Sequence, residues 1–313
     1  MTGTVGMRNV ADGSEALAVA PALPRVRRRR PPEVVVVARR ALRLTKTKIG
    51  LGIVVFVVGF AVVGPFVASP PPKSIAGAPF STASAVNWLG TDALGRSVLS
   101  RLLAGGWVIL LCGVIAALIG VGVGAALGLM ASWRFGLRDE FIMRSLDVIL
   151  SFPPLILGLL LVSVVGPKLW LIVLAVALWH VPGTGRVVRS VALEVRRRDF
   201  VQMAEAIGVP TWRIMGGEIL PNITSQVLVE FGLRLTWSIG LIASLSFLGF
   251  GRQPPAPDWG YMIYENLVGL SVNPWGVIGP VIMIALLTVG INFITDGIQR
   301  SVIGIVRESD AAG

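Results

Sequence analysis

Six runs of about 20 mostly apolar residues recur along this chain, each long enough to cross a bilayer. They lie at about 49–68, 105–132, 141–166, 168–188, 223–250 and 275–295. In hydrocarbon no water can satisfy a backbone N–H or C=O, so such runs fold as helices that pair their own groups. The expected fold class is an all-α membrane protein, a bundle of about six transmembrane helices. The chain is 54% hydrophobic and only 14% charged, where a soluble domain carries about 25% charged residues.

The net charge of +11 is not spread as a nucleic-acid patch would be; the cations flank the apolar runs, which sets topology. With the N-terminus inside, the inner segments are 1–48, 133–140, 189–222 and 296–313. They hold Arg134, Arg138, Arg196, Arg197, Arg198, Arg213, Arg300 and Arg307 besides the basic start of the chain. The outer segments hold chiefly Lys73, Arg96, Lys168 and Arg252. Both termini are therefore expected in the cytoplasm. Residues 1–38 read as a disordered basic tail, 39–300 as the membrane domain and 301–313 as a second cytoplasmic tail. The first apolar run begins only near Ile49, so no cleavable signal peptide is expected. The runs "RVRRRRPP" and "ARRALRLTKTK" suit anionic lipid.

One cysteine, Cys112, and one histidine, His180, leave no disulfide framework and no metal site to expect. His180 reads as a polar residue at a helix end. No G-x-x-x-x-G-K-[ST] phosphate loop occurs, so the chain is not an ATPase by that route. No cofactor is expected on this chain.

Inside the spans, Gly120, Gly124 and Gly128 repeat every four positions and allow close helix packing. Whether the partner helix is in this chain or another is open. Glu230 and Arg234 stand i,i+4 within the fifth span. Charges at that depth face a bundle interior or a wet cavity. A pair that satisfies itself and a lining of a translocation pathway are both open readings. Asp147 with Arg144, and Asp296, read as pairings at the cytoplasmic helix ends, with Asp147 a further pathway candidate. Pro153 and Pro154 predict a kink in the third span. Only "GPK" separates the third and fourth spans, which predicts a tight hairpin. Outside, Asp258 is placed to cap a short helix carrying Trp259, Tyr261, Met262 and Tyr264. Those aromatics suit the headgroup layer or an extracytoplasmic partner.

The inner loop 194–222 contains "DFVQMAEAIGVPTWRIMGGEILPN". Asp199 and Gln202 have the spacing of a capping box. Phe200, Met203, Ala204 and Ile207 then fall on one helical face. Gly208 follows where a left-handed residue ends a helix, and Pro210 can open a second one with Trp212, Met215 and Ile219 on its apolar side. Pro221 leads into the fifth span. The loop reads as two short helices with an apolar face that either packs on the protein's own helix ends or docks into another protein.

"QMAEAIG" followed by "EILPN" resembles the EAA loop of ABC importer permeases, matching at Ala204, Gly208, Leu220 and Pro221. It departs from that pattern at Gln202, Met203 and Glu218. "WLGTDALGRSVLSRLLAG" at 88–105 and "SLSFLGFGRQPPAPDWGYMI" at 244–263 resemble the C-subunit type of dipeptide and oligopeptide importer permeases. Arg144, Asp147 and "SFPPL" at 151–155 fit the same group, over roughly residues 39–300. The resemblance implies a non-enzymatic permease subunit in the bacterial inner membrane. It would pair with a homologous permease and receive di- or oligopeptides from an extracytoplasmic binding protein. Separate ATPase subunits holding ATP and Mg would drive it. Their contact would be through Phe200, Ala204, Glu205, Ile207, Gly208, Trp212 and Pro221. Nickel, opine and glutathione importers share these motifs. An ion-coupled carrier would need titratable residues deep in several spans, and a non-transporting scaffold leaves the bent loop unexplained.

Overall fold

The computed structural model of the chain describes residues 33–133 and 136–310. The tail expected over 1–32, and Arg134, lie outside the described residues. The fold is helical, and among the described residues the β-structure amounts to isolated bridges, Ile75 with Arg96 and Thr91 with Ser97. The helices are α1 (Glu33–Ala41), α2 (Thr45–Val67), α3 (Val98–Ala104), α4 (Gly106–Trp133), α5 (Leu137–Leu150) and α6 (Pro154–Val165). They continue with α7 (Leu169–Arg196), α8 (Asp199–Ala206), α9 (Thr211–Ile214), α10 (Leu220–Leu245), α11 (Trp259–Asn266) and α12 (Trp275–Asp310). Among the described residues, five helices or helix stacks are long and apolar enough to cross a membrane, and α5 with α6 makes a sixth span if that bent pair counts as one.

The structure departs from the sequence reading at several boundaries. Residues 33–38, assigned to the tail, open α1, whose Val37 is buried against Val229 and Val302. The last span does not stop near residue 295; α12 runs on to Asp310 through most of the stretch assigned to a second tail. The third span is not merely kinked. Phe152 and Pro153 break it, and α5 and α6 meet at 82°. Pro153 and Pro154 cannot donate to the preceding turn, so the ladder of hydrogen bonds ends there.

α4 and α7 form the central pair and run parallel, and the glycine stripe explains their closeness. A methyl built on Gly120 would lie 2.6 Å from Cβ of His180, on Gly124 2.7 Å from the Val181 carbonyl, and on Gly128 2.5 Å from the Gly185 carbonyl. The stripe thus seats α4 on α7 of the same chain. His180 is not at a helix end: it is buried in mid-α7, with Nε2 2.8 Å from the Ser238 hydroxyl of α10. Ile109, Ile172, Ile239, Leu245 and Leu287 fill the main core.

A polar cap closes the outer end. Arg96 and Arg101 share Asp92 and Glu265: Arg96 Nε lies 2.7 Å from Asp92 Oδ2, and Arg101 Nη2 lies 2.8 Å from Glu265 Oε2. These side chains are nearly or wholly buried. The Asn273 amide donates to the Leu89 and Thr91 carbonyls, both at 3.0 Å. Asp258 caps α11, accepting from the Tyr261 N–H at 2.9 Å. Burial pushes its carboxyl above the usual carboxylate range, against the pull of the N–H groups it accepts from. Trp259 and Met262 do not anchor in a headgroup layer; both are buried, and the indole N–H donates to the Leu102 carbonyl at 2.7 Å. Tyr264 stays exposed.

Candidate coupling loop and charged face

The inner loop is built differently from its sequence reading. Helix α8 starts at Asp199, so Arg198 is the capping residue and Asp199 makes no capping bond. Asp199 sits instead in the first turn, where its charge suits the positive end of the helix. Gln202 donates to the Arg197 carbonyl at 3.0 Å rather than closing a capping box. Gly208 has φ +79°, the left-handed conformation that ends α8.

The second helix is not separate. α9 passes through a π-helical turn, Met215–Ile219, directly into α10. Pro221 supplies the reason. It lacks an N–H, and its ring crowds the carbonyl four residues back, so a widened turn lets the helix pass without breaking.

Apolar residues of the loop divide between two directions. Val201, Ile214 and Ile219 are buried against Val188, Val195 and Ile223, and Ala204 packs half-buried on that cluster. Phe200, Met203, Ile207 and Trp212 face outward, with exposures of 39%, 68%, 74% and 66%. Trp212, expected on the inner apolar side of the second helix, points away from it, and Ile214 takes that place. Arg196 fastens the loop to the spans. Its guanidinium donates to the Trp133 carbonyl at 2.6 Å, covers the Trp133 ring and lies 3.4 Å from Glu205. An open cleft of about 420 Å³ lies beside it, lined by Leu193, Arg196, Arg197, Gln202 and Glu205. The inner end thus presents a rigidly backed apolar ridge next to a polar cleft.

A charged face lies deeper. Arg234 Nε and Nη2 donate to Glu230 Oε2 at 3.0 and 2.7 Å. The guanidinium crosses Gly183 of α7, where a methyl would meet it at 2.7 Å. Asp147 does not pair with Arg144. It pairs with Arg186 of α7, while Arg144 pairs with Glu140 one turn away at 2.7 Å. The change follows from the break at Pro153, which lays α5 across α7. Asp139 joins the same side, accepting from Arg189 at 2.8 and 2.5 Å. Asp296 is exposed on α12. Arg186 and the outer quartet were missed in the sequence. Asp92 and Arg96 at i,i+4 were a usable signal, whereas Glu265 and Asp147 are partners from distant segments.

Several apolar helices of spanning length, a charged face beside α7 and a loop with an outward apolar ridge define the architecture of a multi-span membrane protein. Residues 120–304 match the family of binding-protein-dependent transport system inner membrane components. The chain belongs to that family, and is an inner-membrane permease subunit of an ABC importer. It is similar to the glutathione transport system permease protein GsiD of Pectobacterium atrosepticum, 37% identical over 69% of this chain and 72% of the relative. It is likewise 37% identical to the proteins of that name from Shigella dysenteriae and Escherichia coli, over 68% of this chain and 70% of each.

Proposed function

We propose that this chain forms half of a translocation pathway for small peptides, with a glutathione-like tripeptide the favoured substrate and general di- or oligopeptides second. The relatives named for glutathione transport support that order, which reverses the one the motifs alone suggested. Nickel and opines have no observation in their favour. The second half of the pathway would be a homologous permease. An extracytoplasmic binding protein would deliver substrate, and ATPase subunits would hold ATP and Mg.

The observation that carries the coupling role is the outward ridge of Phe200, Met203, Ile207 and Trp212 on a base of buried Val201, Ile214 and Ile219. Exposed apolar side chains on a fixed backbone suit a groove in a partner. Glu205, held by Arg196, keeps the ridge registered to α4, and Gly208 and Pro221 shape its ends. A push on the ridge would pass through the unbroken α9–α10 stack into the span that carries Glu230 and Arg234. We assign Glu230, Arg234 and Asp147 to the pathway side. The cationic inner segments support a topology with both termini in the cytoplasm.

The test replaces Phe200, Met203, Ile207 and Trp212 together by Ser. The permease should reach the membrane in normal amount, recover at least tenfold less ATPase on purification, and show background uptake. Full ATPase recovery with normal uptake would remove the loop from the coupling role.

A further inference from the structure

The ion pairs beside α7 follow one another along its length: Arg234 over Gly183, then Arg186 with Asp147, then Arg189 with Asp139. Their depth is measured from the midpoint of α4, Gly120, taken as the level of the bilayer centre; Gly120 faces Ala177 and His180. At a rise of about 1.5 Å per residue, Arg186 lies about 10 Å inward of that centre, inside a hydrocarbon half-thickness of about 15 Å. Yet Arg186 and Asp147 are 51% and 56% exposed. Half-exposed charges at such a depth are stable only against water or a polar partner. They differ in kind from the outer quartet, where Asp92 and Arg101 are 0% exposed and each bridges more than one partner. Arg186 is held through one nitrogen by one carboxylate oxygen, which leaves guanidinium N–H groups for a bidentate ligand.

We propose that Arg186 reads the carboxylate of a zwitterionic peptide in the pathway, with Asp147 taking its ammonium group as the internal pair opens. The proposal rests on the peptide-permease reading above. The break at Phe152–Pro153 sets Asp147 beside α7 at this level, and Arg234, one turn toward the centre, offers the next cation along the route.

The experiment uses the complete complex in liposomes, with the binding protein saturated by either a tripeptide bearing a free C-terminal carboxylate or its C-terminal amide. Wild type should take up the free acid in preference. Arg186→Gln should lose at least tenfold in free-acid uptake and much less in amide uptake, so that the preference collapses, at ATPase recovery equal to wild type. The exchange Arg186→Asp with Asp147→Arg keeps an ion pair but should not restore the preference. An unchanged acid-to-amide ratio in Arg186→Gln, or full restoration by the exchange, would show a purely structural clasp and overturn the proposal. Absence of a preference in wild type would overturn it too. Uptake of neither peptide by the wild-type complex would overturn the peptide reading itself, and this inference with it.

Discussion

At the scale of single residues, a missing side chain decides where α4 and α7 meet. Gly124 touches the Val181 carbonyl and Thr184 so closely that one methyl must push the helices apart. Gly122, two positions along the same helix, has open space around it. Gly124→Ala should therefore cost about 1–3 kcal/mol by overpacking. Gly122→Ala should be neutral or stabilise by up to about 1 kcal/mol, because glycine is the poorer helix former. Heating the detergent-purified protein and measuring the fraction that stays monodisperse checks the pair. Equal behaviour of the two variants would show that the stripe does not set the packing. The periodicity of the stripe was legible in the sequence, but its target was not. Small residues mark a close contact without naming the surface they approach, and α7 became that surface only once the hairpin through Gly166–Lys168 folded back.

Among elements, the loop of α8 and α9 shows how far local pattern reaches. Spacing located both short helices and the bend at Gly208, because proline and left-handed turns are decided within a few residues, but the capping box expected at Asp199 does not form. It misjudged which way Trp212 points and missed the π-turn before Pro221. Those depend on which apolar residues the ends of α4, α7 and α10 cover, and that is a tertiary matter. The same limit applies to α5: two prolines announced a kink, and only the exchange of Arg144 for Arg186 as partner of Asp147 reveals its 82°. Gly208 offers a graded test. Its φ of +79° penalises a branched backbone, and nothing lies within 4 Å, so a substitution acts through conformation alone. Gly208→Ala should weaken the turn by about 1 kcal/mol. Gly208→Asn, whose side chain tolerates that conformation, should weaken it less. ATPase recovery at matched permease level should rank glycine, then asparagine, then alanine. An alanine variant equal to wild type would separate the bend from coupling.

For the molecule as a whole, the two ends are finished differently, and the difference predicts both stability and topology. The outer end is closed by the quartet of Asp92, Arg96, Arg101 and Glu265, which ties α3 and its preceding loop to α11. Arg101→Met would leave Arg96 alone to hold two buried carboxylates and should cost about 3–5 kcal/mol. Arg144→Ala breaks a pair whose partners are 77% and 56% exposed, and should cost less than about 1 kcal/mol. Thermal melting of both variants checks this, and an Arg101→Met variant as stable as Arg144→Ala would deny the quartet its role as a clasp. The inner end carries instead the open ridge and the cations of α1 and α7–α9, so that end should face the cytoplasm. The one native cysteine, Cys112, is buried, which keeps background labelling low. Ser84→Cys stands on the exposed outer loop, and Glu218→Cys on the exposed side of the π-turn. In intact cells an impermeant thiol reagent should label Ser84→Cys. Glu218→Cys should be labelled only after permeabilisation, in cells lacking the ATPase subunits so that nothing covers the ridge. The opposite pattern would invert the topology, put the ridge outside the cell, and remove any route by which ATP hydrolysis could act on it.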